Sequence, residues 1–136
     1  MKTRKKTEKS GQQGTAPRTK IYVVEDHPVF REGMARLIAG EEDFILCGSA
    51  GDAVTAREEI VRLKPDLALV DIELADEDGI SLAQALHVRA PATRIVLISA
   101  YERDDLADLI SDSSAVGFVP KRSLGADAIA AVLDSA

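Results

Sequence analysis

The stretch from Asp66 to Gly79 narrows the possible folds of this chain more than any other. It sets four consecutive apolar residues, Leu67-Ala68-Leu69-Val70, directly against the acids Asp71, Glu73, Asp76, Glu77 and Asp78. A short apolar run bounded by turn signals has no polar side, so as a strand it has to be covered above and below. That demands an arrangement in which helices lie on both faces of a sheet. Asp71 then stands at the carboxyl end of such a strand, the edge at which open α/β sheets bind their ligands.

A second run, Lys20-Ile21-Tyr22-Val23-Val24, passes in the same way into Glu25 and Asp26, and Pro28 suits the first turn of a helix. Side by side in one parallel sheet, the two strands bring Glu25, Asp26 and Asp71 to one end. Three carboxylates there repel one another unless a cation or a proton sits among them. Mg²⁺ takes oxygen ligands, commonly one or two carboxylates together with the oxygens of a phosphate. The residues therefore outline a metal and phosphate site.

The rest of the chain repeats the alternation. Phe30, Met34, Leu37 and Ile38 fall at helical spacing, with Gly40 as a stop. Phe44 to Ala50 reads as a strand, and Asp52 can cap a helix striped by Ala53, Ala56, Ile60 and Leu63 and ended by Lys64-Pro65. A helix through Leu82, Ala85 and Leu86 follows the acidic loop. Then come a strand, Arg94–Ser99, a helix with Leu106, Leu109 and Ile110, a short strand at Val116–Val119, and a last helix capped by Ser123. Five strands alternating with five helices imply right-handed crossovers and a mostly parallel sheet.

The chain has 136 residues, enough for one domain, and its 46% hydrophobic content suits a compact α/β core. Cys47 lies within the apolar Phe44-Ile45-Leu46-Cys47 run and reads as a buried small hydrophobe; as the sole cysteine it can form no disulfide within the chain. No stretch approaches the length of a membrane span and no signal-peptide pattern is visible, so a cytoplasmic protein without membrane contact is expected. Residues 1–20 hold seven Lys/Arg and one Glu, a net of +6 against −12 for the remainder. Without aromatics or periodicity, residues 1–19 are expected to form a disordered basic tail, and residues 20–136 the domain. The dense acidity of that domain argues against direct nucleic-acid binding.

Each strand at the proposed site ends in a residue suited to phosphoryl chemistry: Glu25 and Asp26, Asp71, Ser99, then Lys121. In this order on a five-unit α/β pattern, the chain resembles the receiver domain of two-component response regulators over residues 20–136. The stretches Val23-Val24-Glu25-Asp26-His27-Pro28-Val29-Phe30-Arg31-Glu32-Gly33 and Gly117-Phe118-Val119-Pro120-Lys121 are most similar to receivers joined to LuxR-type helix-turn-helix domains. The resemblance implies a flavodoxin-like five-stranded parallel sheet of order 2-1-3-4-5. It implies that Asp71 accepts a phosphoryl group from a histidine kinase or phosphotransfer protein. It further implies that Asp26, Asp71 and the backbone carbonyl of Glu73 hold Mg²⁺, with Glu25 assisting through water. Ser99 and Lys121 would contact the phosphoryl oxygens, and Phe118 matches the aromatic switch position. Such a chain would be a phosphoacceptor rather than an enzyme, would dimerise on phosphorylation, and would control transcription through a domain this sequence does not contain.

Two departures from the family pattern bear on the site. Pro120 precedes Lys121 where the usual order is Lys then Pro joined by a cis bond, and Ala75 replaces a frequent proline, which predicts a more mobile loop after Asp71. Asp71-Ile72-Glu73 also faintly resembles the haloacid dehalogenase phosphatases. Those enzymes need a second Asp two residues on, near the chain's first strand, and this sequence does not place one there. A non-phosphorylated interaction module is the other alternative, and the intact acidic pair, Asp71, Ser99 and Lys121 speak against it. His27 and His87 read as a loop residue and a helix-surface residue.

Overall fold

In a computed structural model, which describes residues 18–101, 108 and 114–135, the apolar runs form one five-stranded sheet. The strands are β1 (Thr19–Val24), β2 (Phe44–Ala50), β3 (Leu67–Asp71), β4 (Arg94–Ser99) and β5 (Gly117–Pro120). All pairings are parallel and the order is β2-β1-β3-β4-β5. The helices are α1 (Pro28–Ala39), α2 (Ala53–Leu63), α3 (Gly79–Arg89) and α4 (Ala126–Ser135), and a short 3₁₀ turn spans Lys121–Ser123. The helix expected around Leu106, Leu109 and Ile110 lies outside the described residues, as does the tail over residues 1–17.

Alternation along each strand separates two cores. Tyr22, Val24, Ala68, Val70 and Leu97 pack with Ala53, Ala56 and Ile60 of α2 and Leu82 and Leu86 of α3. Ile21, Val23, Leu67, Leu69, Val96 and Ile98 pack on the other face with Met34 and Ile38 of α1 and Ile129 of α4. Every residue of β3 is buried, which is why its sequence carries no polar alternation. Asp66 aligns three strands at their start: its amide donates to the Lys20 carbonyl, its carboxylate accepts from the Lys20 amide at 2.8 Å, and its carbonyl accepts from the Arg94 amide.

Local signals explain the helix ends. Pro28 occupies the first turn of α1, and the Gly40 amide closes the helix on the Arg36 carbonyl. Asp52 caps α2 by accepting from the Thr55 amide at 2.7 Å. The helix stops at Lys64, held left-handed at φ 53°, because the following Pro65 disfavours a right-handed residue before it. Ser123 does not cap the last helix. It falls inside the 3₁₀ turn, α4 starts only at Ala126, and the Gly125 carbonyl takes its first amide bond from Ile129.

The β1–β2 pairing slips by one residue, with Ile21 opposite Leu46 but Tyr22 opposite Gly48. Cys47 is the extra residue. It is half-buried rather than buried, and its thiol donates to the Ile21 carbonyl at 3.5 Å. Burial and the nearby acids Asp66 and Glu59 push that thiol up from its usual range, against opposing contacts from its own backbone and Lys20. Gly48 makes room for the Tyr22 ring, which a Cβ there would meet at 2.8 Å. The Tyr22 hydroxyl in turn donates to Glu59 of α2 at 2.5 Å, so this polar tip in the core keeps a partner.

Candidate functional site

The carboxyl ends of β1, β3, β4 and β5 deliver the polar groups to one place. Asp71, the last residue of β3, is almost fully buried, as are Glu25 just past β1 and Ser99 at the end of β4. One carboxylate oxygen from each of Glu25, Asp26 and Asp71 lies within 4.8 Å of the others. The convergence expected from the two apolar strands is thus present.

Lys121, the first residue after β5, reaches across this cluster. Its Nζ stands 2.9 Å from Glu25 Oε1 and 3.1 Å from Asp71 Oδ2, and lies over the Phe30 ring at 4.8 Å. The second Asp71 oxygen, Oδ1, accepts from the Glu73 amide at 3.0 Å. Glu25 Oε2 accepts from the His27 amide at 3.1 Å. Glu25 Oε1 is buried and meets Lys121 as an ion pair, with no hydrogen bond to it among the described residues. The peptide bonds flanking Pro120 are trans.

Burial pushes the Asp71 carboxyl up from 3.8 to about 6, with the Glu25 carboxylate adding to the rise and the Glu73 amide and Lys121 opposing it. Burial also works to lower the Lys121 ammonium, but its contacts with Glu25 and Asp71 prevail and hold it above its ordinary value. Around Asp71, three carboxylates face one ammonium. A hard divalent cation suits that imbalance, and the donor set, all oxygen with one buried carboxylate oxygen left without a hydrogen bond, fits Mg²⁺.

Close backbone packing places Asp71. Gly79, at the start of α3, donates its amide to the Ile72 carbonyl at 2.8 Å, and a Cβ at that position would lie 2.1 Å from the Asp71 carbonyl oxygen. Only glycine admits that approach. Asp78 caps the same helix by accepting from the Ser81 amide at 2.8 Å.

The loop after Asp71 is anchored, although Ala75 replaces a proline. Asp76 accepts from the amides of Ala53 and Val54 at the start of α2, and the Ala53 amide bond leads in holding its carboxyl below the usual range. Glu77 pairs with Arg57 of α2 at 2.6 Å. Sequence reasoning did not reach these tethers, nor Arg31, whose guanidinium donates to the Glu25 carbonyl at 2.6 Å and fixes the first acidic turn. Only the Arg57–Glu77 pair leaves a sequence signal, opposite charge, and its partners stand 20 positions apart.

The Glu73 side chain has a definite partner as well. The Ser99 hydroxyl donates to its carboxylate, 2.8 Å to Oε2 and 3.1 Å to Oε1, and accepts from the Tyr101 amide at 3.0 Å. Phe118 is buried on β5 opposite Leu97, among Val70, Ile72 and Leu97 of the α2–α3 core. His27 stands at the N-terminal boundary of α1 and His87 is exposed on α3. Among the described residues no helix is long and apolar enough to cross a membrane.

The model of one protein family, the response regulator receiver domain, matches residues 21–133. The probable transcriptional regulatory protein NarL of Mycobacterium tuberculosis is 34% identical over 119 residues, covering 88% of this chain and 55% of that protein. The DNA-binding transcriptional activator DevR/DosR of the same organism is 32% identical, covering 85% of this chain and 53% of its own length. The chain therefore spans about half the length of these curated relatives. Among solved structures, the signal receiver domain of the putative response regulator NarL from Mycobacterium tuberculosis superposes with a TM-score of 0.80 at 32% identity, covering 88% of this chain and 97% of that one.

Proposed function

This chain belongs to the response regulator receiver family, and from that premise we propose that Asp71 is its phosphoacceptor, taking a phosphoryl group from a phosphohistidine of a histidine kinase or phosphotransfer protein. One observation carries the assignment: Asp71 is the buried carboxylate at the end of the central strand, flanked at once by Lys121 Nζ at 3.1 Å and by the carboxylates of Glu25 and Asp26.

In the transfer, an Asp71 oxygen forms a bond to phosphorus as the bond between phosphorus and the donor imidazole nitrogen breaks. The electron pair leaves with the imidazole, which takes a proton from solvent. A carboxylate is a weak nucleophile, so the site contributes position and charge rather than a strong base. Asp26, Asp71 and the backbone carbonyl of Glu73, with Glu25 through a water, would hold Mg²⁺, which when bound neutralises charge on the phosphoryl oxygens. Lys121 is already poised over Asp71 to take one of those oxygens, and the Phe30 ring beneath its ammonium holds it there.

The acyl phosphate adds charge and acceptor oxygens beside Ser99. The hydroxyl turns toward them, and the volume it leaves is open to Phe118, which makes Ser99 and Phe118 the two halves of a switch. We assign the readout to transcription, through an output domain of the kind the family's transcriptional regulators carry, with a phosphorylation-strengthened homodimer as the signalling form. In this reading the domain catalyses only its own phosphorylation and dephosphorylation.

Labelling with acetyl phosphate and Mg²⁺, followed by intact-mass analysis, tests the assignment. Wild type should gain one hydroxylamine-sensitive phosphoryl group and Asp71→Asn none. Undiminished labelling of the Asn variant would overturn it.

A further inference from the structure

We propose that the Glu73 carboxylate is a latch on the Ser99 hydroxyl: it holds, before phosphorylation, the proton that a phosphoryl oxygen on Asp71 must capture, and so sets how readily the switch engages. The proposal rests on Asp71 being the phosphoacceptor.

The geometry leaves Ser99 little freedom. It is fully buried, and its oxygen accepts from the Tyr101 amide at 3.0 Å. A hydroxyl has one proton, and here that proton is directed to the Glu73 carboxylate, 2.8 Å to Oε2 and 3.1 Å to Oε1. It cannot serve Glu73 and a phosphoryl group fully at the same time. Glu73 is also bound to the phosphoacceptor through its backbone, since its amide donates to Asp71 Oδ1 at 3.0 Å. One residue thereby holds both the group to be phosphorylated and the group that answers.

Release is built into the same arrangement. Glu73 is exposed, so its carboxylate can swing into water without being stranded in the core. A phosphoryl group on Asp71 brings like charge next to it and drives it that way. The bond it gives up is a charge-assisted one that the phosphoryl group has to outcompete. Glu73 is thus a positioning residue that opposes the phosphorylated state.

The test is titration of the full chain with beryllofluoride in saturating Mg²⁺, with the Tyr101 amide resonance reporting on Ser99. Losing the charge-assisted bond should make Glu73→Ala bind beryllofluoride about tenfold more tightly than wild type. In a Ser99→Ala background the same change should produce almost no gain, because the hydroxyl through which Glu73 acts is gone. The Tyr101 amide of Glu73→Ala should already lie displaced toward its beryllofluoride-bound position before any is added. An unchanged affinity in Glu73→Ala, or an equal gain with and without Ser99, overturns the latch. Wild-type binding alongside an inert Glu73→Ala removes the latch alone, whereas no binding by wild type removes the phosphoacceptor reading and the latch with it.

Discussion

Replacing Asp71 with Asn should stabilise the metal-free protein, and the size and pH dependence of the gain follow from the site. Asn approximates the protonated carboxyl in shape and charge, so the substitution measures what the ionised form costs the fold. Lifting the carboxyl from 3.8 to about 6 corresponds to about 3 kcal/mol, at about 1.4 kcal/mol per pH unit. The attraction of Lys121 is already contained in that figure, because it is among the influences that set the shifted value.

The sign follows from proton binding. Between about pH 4 and 6 the folded state binds more protons at Asp71 than the unfolded state, so wild-type stability attributable to this group is present below that window and lost as pH rises through it. The advantage of Asp71→Asn should therefore be full at pH 7.5, shrink as pH falls through 6, and vanish near pH 4. At about 3 °C per kcal/mol for a domain of this size, the gain at pH 7.5 approaches about 9 °C in melting temperature. Thermal melts of both proteins in EDTA across that pH range measure it. Mg²⁺ should then raise wild type by about 1.4 kcal/mol at ten times its dissociation constant, and the Asn variant by less. If Asp71→Asn melts lower than wild type at pH 7.5, or if its advantage grows as pH falls, burial of an ionised Asp71 beside Glu25 is not what strains this site.

Gly79→Ala should lower stability by about 3 kcal/mol or more in urea denaturation, because the added Cβ meets backbone atoms of Asp71 and Ile72 that cannot yield without moving α3. Asp76→Ala should speed hydrogen exchange at the amides of Ala53 and Val54 while leaving α3 protected; unchanged exchange there would show that the tether to α2 is not maintained in solution. Beryllofluoride with Mg²⁺ should increase the sedimenting mass of the chain, and an identical mass in both states would count against self-association as the signalling form.

The positions of the site residues were legible because each is fixed by backbone alone. A residue that closes an apolar strand lands at the carboxyl edge whatever its side chain, and so the places of Glu25, Asp71 and Ser99 could be read from the runs before them. Lys121 follows β5 by the same logic. The strand order is different, since alternation implies a parallel sheet but not which strand neighbours which; that came from the family resemblance. Boundaries with local chemistry, such as Asp52 and Lys64-Pro65, were also readable. Ser123 was not, because a good capping residue and a 3₁₀ turn share the same composition, and here the turn takes Ser123 while α4 begins at Ala126.

What side chains do once the edge is assembled was hidden, and the acidic loop shows why. Read along the chain, Glu73, Asp76, Glu77 and Asp78 look like one solvated run beside a metal site. In the fold they separate completely: Glu73 binds Ser99, Asp76 and Glu77 bind α2, and Asp78 caps α3. Three of the four serve partners 20 or more positions away, a range over which periodicity and capping rules carry no information. Amides, Arg57 and a hydroxyl meet these acids, while among the described residues the charge at Asp71 itself is met by Lys121 and the Glu73 amide. The loop is therefore tied to α2 through Asp76 and Glu77, while the exposed Glu73 carboxylate meets Ser99, so under the proposed latch a change in charge on Asp71 acts first on that hydroxyl and not on the frame that holds it.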